Sequence, residues 1–239
     1  MKPTVVRNIE RPDAALVRRL GEFGVAAVHE SQGRSGLMRP YMRPIFPEAR
    51  LAGPAVTVSC PAGDNLMLHA AIELCRPGDV LVVAPISASE DGMVGELIGT
   101  SCQARGIAGI VLEAGVRDVA DLTEMKYPVF SKAISAQGTL KESAGSVNVA
   151  VVCAGAAVHP GDIIVADLDG VVVVPRHTAA DVVRAAEERT VREKRKRERL
   201  RSGELGLEID GLRAKLKELG VEYVERAPDR DAPVPSAKS

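Results

Sequence analysis

Two stretches of the chain bring together groups of unlike chemistry: Gly95-Glu96-Leu97-Ile98 and Arg117-Asp118. Arg117 carries a planar guanidinium fork that matches a carboxylate. Asp118, with Glu96, offers hard oxygen ligands suited to Mg²⁺ or Mn²⁺. The backbone N–H groups of Leu97 and Ile98, at the start of an expected helix, are donors that favour an anion. Such a set suits a 2-oxo acid, whose carboxylate and ketone oxygens chelate a divalent cation together. Asn65 and His69 are the other candidates, four apart on an expected helix and therefore on one face. Spacing alone also fits plainer roles. An Arg-Asp pair at a helix start serves as a cap or a surface salt bridge, and a histidine on an apolar helix serves as a hydrogen-bonded structural residue.

These groups need elements to hold them. Short apolar runs at 80–84 and 107–112 read as strands buried on both faces, and each empties into one of the two stretches. In open parallel sheets, ligands sit outside the carboxyl ends of the strands. A further strand is expected at 54–60, and Asp64 stands as N-cap for a helix over 65–75. Helices are also expected over 12–28, 93–105 and 118–125, with a loop at 33–47. After Tyr127 the pattern turns to strand-like pieces at 128–130, 147–152, 162–166 and 171–175, separated by glycine-containing turns. The fold class expected is therefore α/β, a single domain over 1–176 with a mixed sheet in more than one layer.

A helix over 178–201 follows. Its stretch 187–201 holds twelve charged residues of fifteen. That fits a solvated helix laced with i,i+4 pairs, or a helix received by a neighbouring subunit. Residues 177–225 form the expected C-terminal helical extension, and the Pro- and charge-rich 226–239 an expected disordered tail.

Composition narrows the function classes. The chain has 239 residues, 46% of them hydrophobic, which excludes wholesale disorder. Thirty-one Lys+Arg balance thirty-two Asp+Glu, so no global basic field exists to hold nucleic acid. Aromatics make up 3% with no Trp, which argues against base-stacking platforms. The four cysteines lack any CxxC spacing and read as buried free thiols in a reducing compartment. With no signal-peptide pattern and no apolar run of about 18 residues, a cytoplasmic protein is expected. No HExxH, GxSxG or Walker sequence occurs, so a zinc hydrolase or a nucleotide enzyme lacks support.

Several stretches resemble the 4-hydroxy-4-methyl-2-oxoglutarate aldolase family, which is related to the regulator of ribonuclease E activity. They are PAGDNLMLH (61–69), PGDVLV (77–82), GEL (95–97), GIVLEAGVRD (109–118), PGD (160–162) and ADLDG (166–170). The most specific is Glu96, twenty intervening residues, then Arg117-Asp118. The C-terminal GELGLEIDGLRAKLKELGVEYVE is similar to the longer 4-carboxy-4-hydroxy-2-oxoadipate aldolase branch.

The resemblance implies a class II pyruvate aldolase of layered, swivelling β/β/α fold, a trimer or hexamer with active sites between subunits. It implies Mg²⁺ or Mn²⁺ on Asp118, and Arg117 on the pyruvyl carboxylate and the developing enolate. Gly95 and the amides of Leu97 and Ile98 are expected to hold the pyruvyl moiety, with Asn65 and His69 on the substrate side. Glu96 takes an acidic place that is Asp in some relatives. Glu193 is the expected glutamate from a neighbour's C-terminal helix. The implied reaction cleaves 4-carboxy-4-hydroxy-2-oxoadipate and/or 4-hydroxy-4-methyl-2-oxoglutarate to pyruvate plus oxaloacetate or pyruvate, with oxaloacetate decarboxylation as a side activity. Neither nucleic acid nor membrane is an expected partner. Three alternatives stand beside it: a non-catalytic regulator that binds a ribonuclease, a Schiff-base aldolase using Lys132, and a methyltransferase. The last lacks a glycine-rich loop for its cofactor.

Overall fold

Val and Ile at alternating positions build the central strands. In the computed structural model, which describes residues 2–226, these are Leu51–Cys60 (β2), Val80–Pro85 (β3) and Gly109–Val116 (β5). Successive side chains point to opposite faces. Val56, Val58, Leu81, Val83, Ile110 and Leu112 pack on one side against helices, while Ala55, Val80, Val82 and Val111 pack on the other. Each valine, leucine or isoleucine among them fully removed from water contributes about 1.5–3 kcal/mol, so the double-faced strands carry much of the stability.

The sheet is completed by Arg43–Pro44 (β1), Gly92–Val94 (β4), Val129–Ile134 (β6), Ser146–Val147 (β7), Ile163–Asp167 (β10) and Gly170–Val174 (β11). Its order is β1-β6-β5-β3-β2-β10-β11, with β4 beside β5 and β7 beside β2. Strands β2, β3, β5 and β6 run parallel; β1, β10 and β11 run antiparallel to their neighbours. Arg43 Nη1 donates to the Asp169 carbonyl in the β10–β11 turn at 2.9 Å. The two ends of the sheet thereby approach, and the mixed sheet is nearly closed. A separate hairpin, Val151–Cys153 (β8) with Ala156–Val158 (β9), adds to the second core.

The helices depart from expectation in two places. The helix expected over 12–28 is two helices, Ala14–Phe23 (α1) and Val25–Ser31 (α2), broken at Gly24. Gly24 has φ +81, and a β-carbon there would lie 2.8 Å from Asp167 Oδ2, the oxygen that accepts the Val25 N–H at 2.9 Å. The helix expected from residue 93 begins at Glu96 instead (α4, Glu96–Ala104), because 92–94 pairs with β5 as strand β4. Strand β5 correspondingly runs on to Val116, so Glu113 to Val116 are strand rather than loop. The piece at 147–152 is divided between β7 and β8. Helices Leu66–Leu74 (α3) and Val119–Glu124 (α5) lie close to their expected bounds.

The chain divides into two compact units, up to Arg189 and from Thr190, the boundary falling inside helix Ala179–Arg201 (α6). The second unit adds Gly206–Ile209 (α7) and Leu212–Glu218 (α8). Its ion pairs include Lys196–Asp210 at 2.5 Å, Lys215–Glu218 at 2.9 Å, Arg199–Glu204 and Arg213–Glu208. Of the expected tail over 226–239, all but Arg226 lies outside the described residues. Among the described residues no helix is long and apolar enough to cross a membrane.

Candidate active site

Parallel pairing of β3 with β5, and of β4 with β5, sends the chain out at one end of the sheet. There α4 and α5 begin side by side. Asp118, the residue before α5, has φ 54, a left-handed conformation that Asp tolerates better than most side chains. In that pose its Oδ2 accepts the Glu96 N–H at 3.0 Å, across the mouth of α4. Gly95 makes the approach possible. A β-carbon on it would meet Asp118 Oδ2 at 2.3 Å and Arg117 Cγ and Nε at 3.0 Å. Arg117 is fixed by its own N–H, which donates to the Val94 carbonyl at 2.9 Å. Its Nε lies 3.6 Å from Asp118 Oδ2, an ion-pair contact beyond hydrogen-bond length.

These groups open onto a cleft of about 130 Å³, lined by Asn65, His69, Gly92, Met93, Gly95, Leu97, Ile98, Arg117, Asp118 and Lys141. Arg117 and Asp118 also line a neighbouring cleft of about 280 Å³ with Val119, Ile134, Ser135 and Ala136. The Leu97 and Ile98 N–H groups donate to no other described residue, as expected for the second and third positions of a helix. Asp118 Oδ1 likewise accepts no hydrogen bond from the described residues. Arg117, Lys141 and the helix start set the sign of the cleft, with Asp118 as the one carboxylate among its lining side chains.

Of the expected site residues, Asn65, His69, Gly95, Leu97, Ile98, Arg117 and Asp118 are thus brought to one cleft. Asn65 is buried; its Nδ2 donates to the Met93 carbonyl at 3.0 Å, and its Oδ1 has no partner. His69 is exposed on the next turn of α3. Glu96 stands at the mouth but not among the lining side chains. Its Oε1 accepts the Thr100 hydroxyl at 2.7 Å, one turn along α4. Glu193 lies on α6 in the second unit, whereas the lining residues all belong to the first. Lys132, the alternative lysine, sits 3.6 Å from Glu90 and does not line the cleft.

Gly92, Met93 and Lys141 also line the cleft without having been expected there, and Lys141 is the charged one among them. It sits in the segment after β6, which has no helical or strand periodicity. That segment is held over α3 by long-range bonds: Asn65 N–H to the Leu140 carbonyl at 3.0 Å, and Leu140 N–H to the Gly63 carbonyl at 2.9 Å. Asp64 adds its side chain. Oδ1 accepts the Leu66 N–H at 2.9 Å, and Oδ2 accepts those of Glu142 at 2.8 Å and Ser143 at 2.7 Å. Burial alone raises the pKa of such a carboxyl, but the three backbone donors together with the Ser143 hydroxyl outweigh it and hold Asp64 below the usual carboxylate range. Among the described residues no three His, Cys, Asp or Glu side chains converge as a ready-made metal cage.

The profile of the RraA-like family, described as Aldolase/RraA, matches residues 15–173. The chain belongs to that family. A relative from Halalkalibacterium halodurans, named "Putative 4-hydroxy-4-methyl-2-oxoglutarate aldolase", is 30% identical over 148 residues, 62% of this chain and 70% of the relative. A Burkholderia multivorans protein of the same name is 38% identical over 148 residues, 61% of this chain and 90% of the relative. The crystal structure of Streptomyces coelicolor RraAS2, described as an unusual member of the RNase ES inhibitor RraA protein family, superposes with a TM-score of 0.70. It is 29% identical, and the match covers 80% of this chain and 99% of that one. The RraA-like family thus holds proteins named for carbon-bond cleavage and proteins named for ribonuclease inhibition.

Proposed function

We propose that this RraA-like chain is a divalent-metal-dependent aldolase that cleaves 4-hydroxy-2-oxo acids carrying further carboxylates, releasing pyruvate. The observation that carries the reading is the sharing of one cleft by Arg117, Asp118 and the free amides of Leu97 and Ile98. The donor set fits Mg²⁺ or Mn²⁺: one carboxylate with a spare oxygen, in a cleft open to water, matches an ion that keeps much of its hydration and shares its substrate's oxygens. Asp118 would hold it. Once bound, the ion supplies Lewis-acid stabilisation of the enolate oxygen.

The chain's own residues do the rest. Arg117 binds the carboxylate next to the ketone and meets the negative charge that grows as C3–C4 breaks. The Leu97 and Ile98 N–H groups fix the same pyruvyl half. Glu96, through a water it holds, takes the C4 hydroxyl proton; C4 becomes a carbonyl and the C3–C4 electron pair passes to the 2-oxo group. Water then protonates C3, giving pyruvate plus oxaloacetate or a second pyruvate. The neighbouring cleft beyond Arg117 and Asp118 leaves room for the C4 end. The same enolate forms when oxaloacetate loses CO₂, so oxaloacetate decarboxylation accompanies the main reaction. The proposal includes a homo-oligomer in which Glu193 enters a neighbour's cleft.

The test incubates the protein and Mg²⁺ with 4-carboxy-4-hydroxy-2-oxoadipate, 4-hydroxy-4-methyl-2-oxoglutarate and oxaloacetate, following pyruvate. EDTA is expected to abolish release, and Mg²⁺ or Mn²⁺ to restore it. Full activity after chelation removes the metal, and no pyruvate from any substrate removes the aldolase. The second reading, a non-catalytic ribonuclease-binding protein, is favoured by the likeness to the structure described under RNase ES inhibition. It predicts capture of a ribonuclease and no pyruvate.

A further inference from the structure

The mechanism makes no use of Asp64, yet this carboxylate is 3% exposed and joins two separate walls of the cleft. One oxygen caps the start of α3, the helix that carries His69 just after Asn65. The other gathers the N–H groups of Glu142 and Ser143, the two residues after Lys141. On the other side of Lys141, Leu140 is paired through its N–H and carbonyl to Gly63 and Asn65. Lys141 is thus an exposed residue clamped from both flanks and lining the cleft.

We infer that Asp64 is a positioning residue that docks the 140–143 segment on the start of α3 and so holds Lys141 against a carboxylate of the substrate. This deepens the aldolase reading and rests on it. Three hydrogen bonds to one charged group are a strong local fastening, and the neutral amide of Asn cannot reproduce them. Asn has a single acceptor oxygen, and its NH₂ would face backbone N–H groups instead of receiving them. The segment then loosens while the chemistry around Asp118 stays in place. The expected signature is weaker substrate binding with turnover retained.

The experiment is a double-mutant cycle read as kcat and KM for pyruvate release, beside amide hydrogen exchange. Lys141→Met is expected to raise KM roughly 10-fold or more with kcat changed less than about 3-fold, the loss of one charge-assisted contact. Asp64→Asn is expected to reproduce that rise, and the double variant to be no more than about twice as impaired as Lys141→Met, because both changes remove one coupled arrangement. The Glu142 and Ser143 amides are expected to exchange slowly in the parent and fast in Asp64→Asn. A parental KM in Asp64→Asn, or effects that multiply in the double variant, overturns the inference while an active parent leaves the aldolase reading intact. An inactive parent takes away the reading and the substrate role of Lys141 with it. Unprotected amides at 142 and 143 in the parent overturn the clamp whatever the activity. If Asp64→Asn does not fold, Glu142→Pro, which deletes a single donor at an exposed position, takes its place in the cycle.

Discussion

At the scale of single residues, Arg117 and Asp118 line the same cleft, and both lie against a neighbour without a side chain. Gly95 is required by contact: any β-carbon would displace the Asp118 carboxylate from the Glu96 N–H. Under the proposed mechanism, Arg117→Ala removes the group that meets developing charge. The expected loss in kcat/KM is at least ~10²-fold, as found for other charge-stabilising donors, and pyruvate-coupled kinetics check it; a variant within about twofold of the parent places the chemistry elsewhere. Most of the candidate residues were legible because they follow strand ends or sit in named motifs. Lys141 was not, since what brings it to the cleft is a pairing between Asp64 and Leu140, far apart in the chain. Glu96 was legible by position but not by direction: only the structure places its carboxylate on Thr100.

Elements were readable where their periodicity was long and their neighbours local. Strands β2 and β3 appear in the sequence as β-branched or apolar runs, and α3 as an apolar stretch behind a capping carboxylate. Strand β4 has three buried residues and no period of its own, so it reads as the start of the helix that follows. The break between α1 and α2 is likewise decided at a distance, by Asp167 filling the space beside Gly24. One element depends on a charge pair. Asp79, 1% exposed, leads into β3 and accepts the Arg76 N–H at 2.7 Å, with Arg11 Nε at 2.8 Å and Nη2 at 2.6 Å. Asp79→Ala leaves a mostly buried guanidinium without its partner. Removing one member of such a pair costs about 3 kcal/mol or more. Urea unfolding is expected to show a lower midpoint at an unchanged slope, and an unaltered midpoint would mean that the pair only decorates the strand.

For the molecule as a whole, the mixed α/β class was readable from the order of strands and helices. The near closure of the sheet was not, because the β1–β6 and β2–β10 pairings join segments with no local mark of one another. The four cysteines are all buried and free. Burial pushes the Cys60 and Cys75 thiols up to about 12 and Cys102 up to about 11, and raises Cys153 as well. The thiolate is the reactive form. At pH 8 a disulfide reagent is therefore expected to label none of them in the folded protein and all four in guanidinium, a colorimetric titration that reports opening of the cores directly. Fast labelling of even one thiol under native conditions would identify a region that opens independently of global unfolding.

The left-handed backbone at Asp118 has an evolutionary consequence. Asparagine settles into that region as readily as aspartate, and its amide oxygen can still receive the same N–H. On the aldolase reading, exchange of one oxygen for nitrogen at Asp118 would extinguish the reaction while sparing the architecture, so that descendants of a common ancestor could part ways, some keeping the reaction and others only the shape.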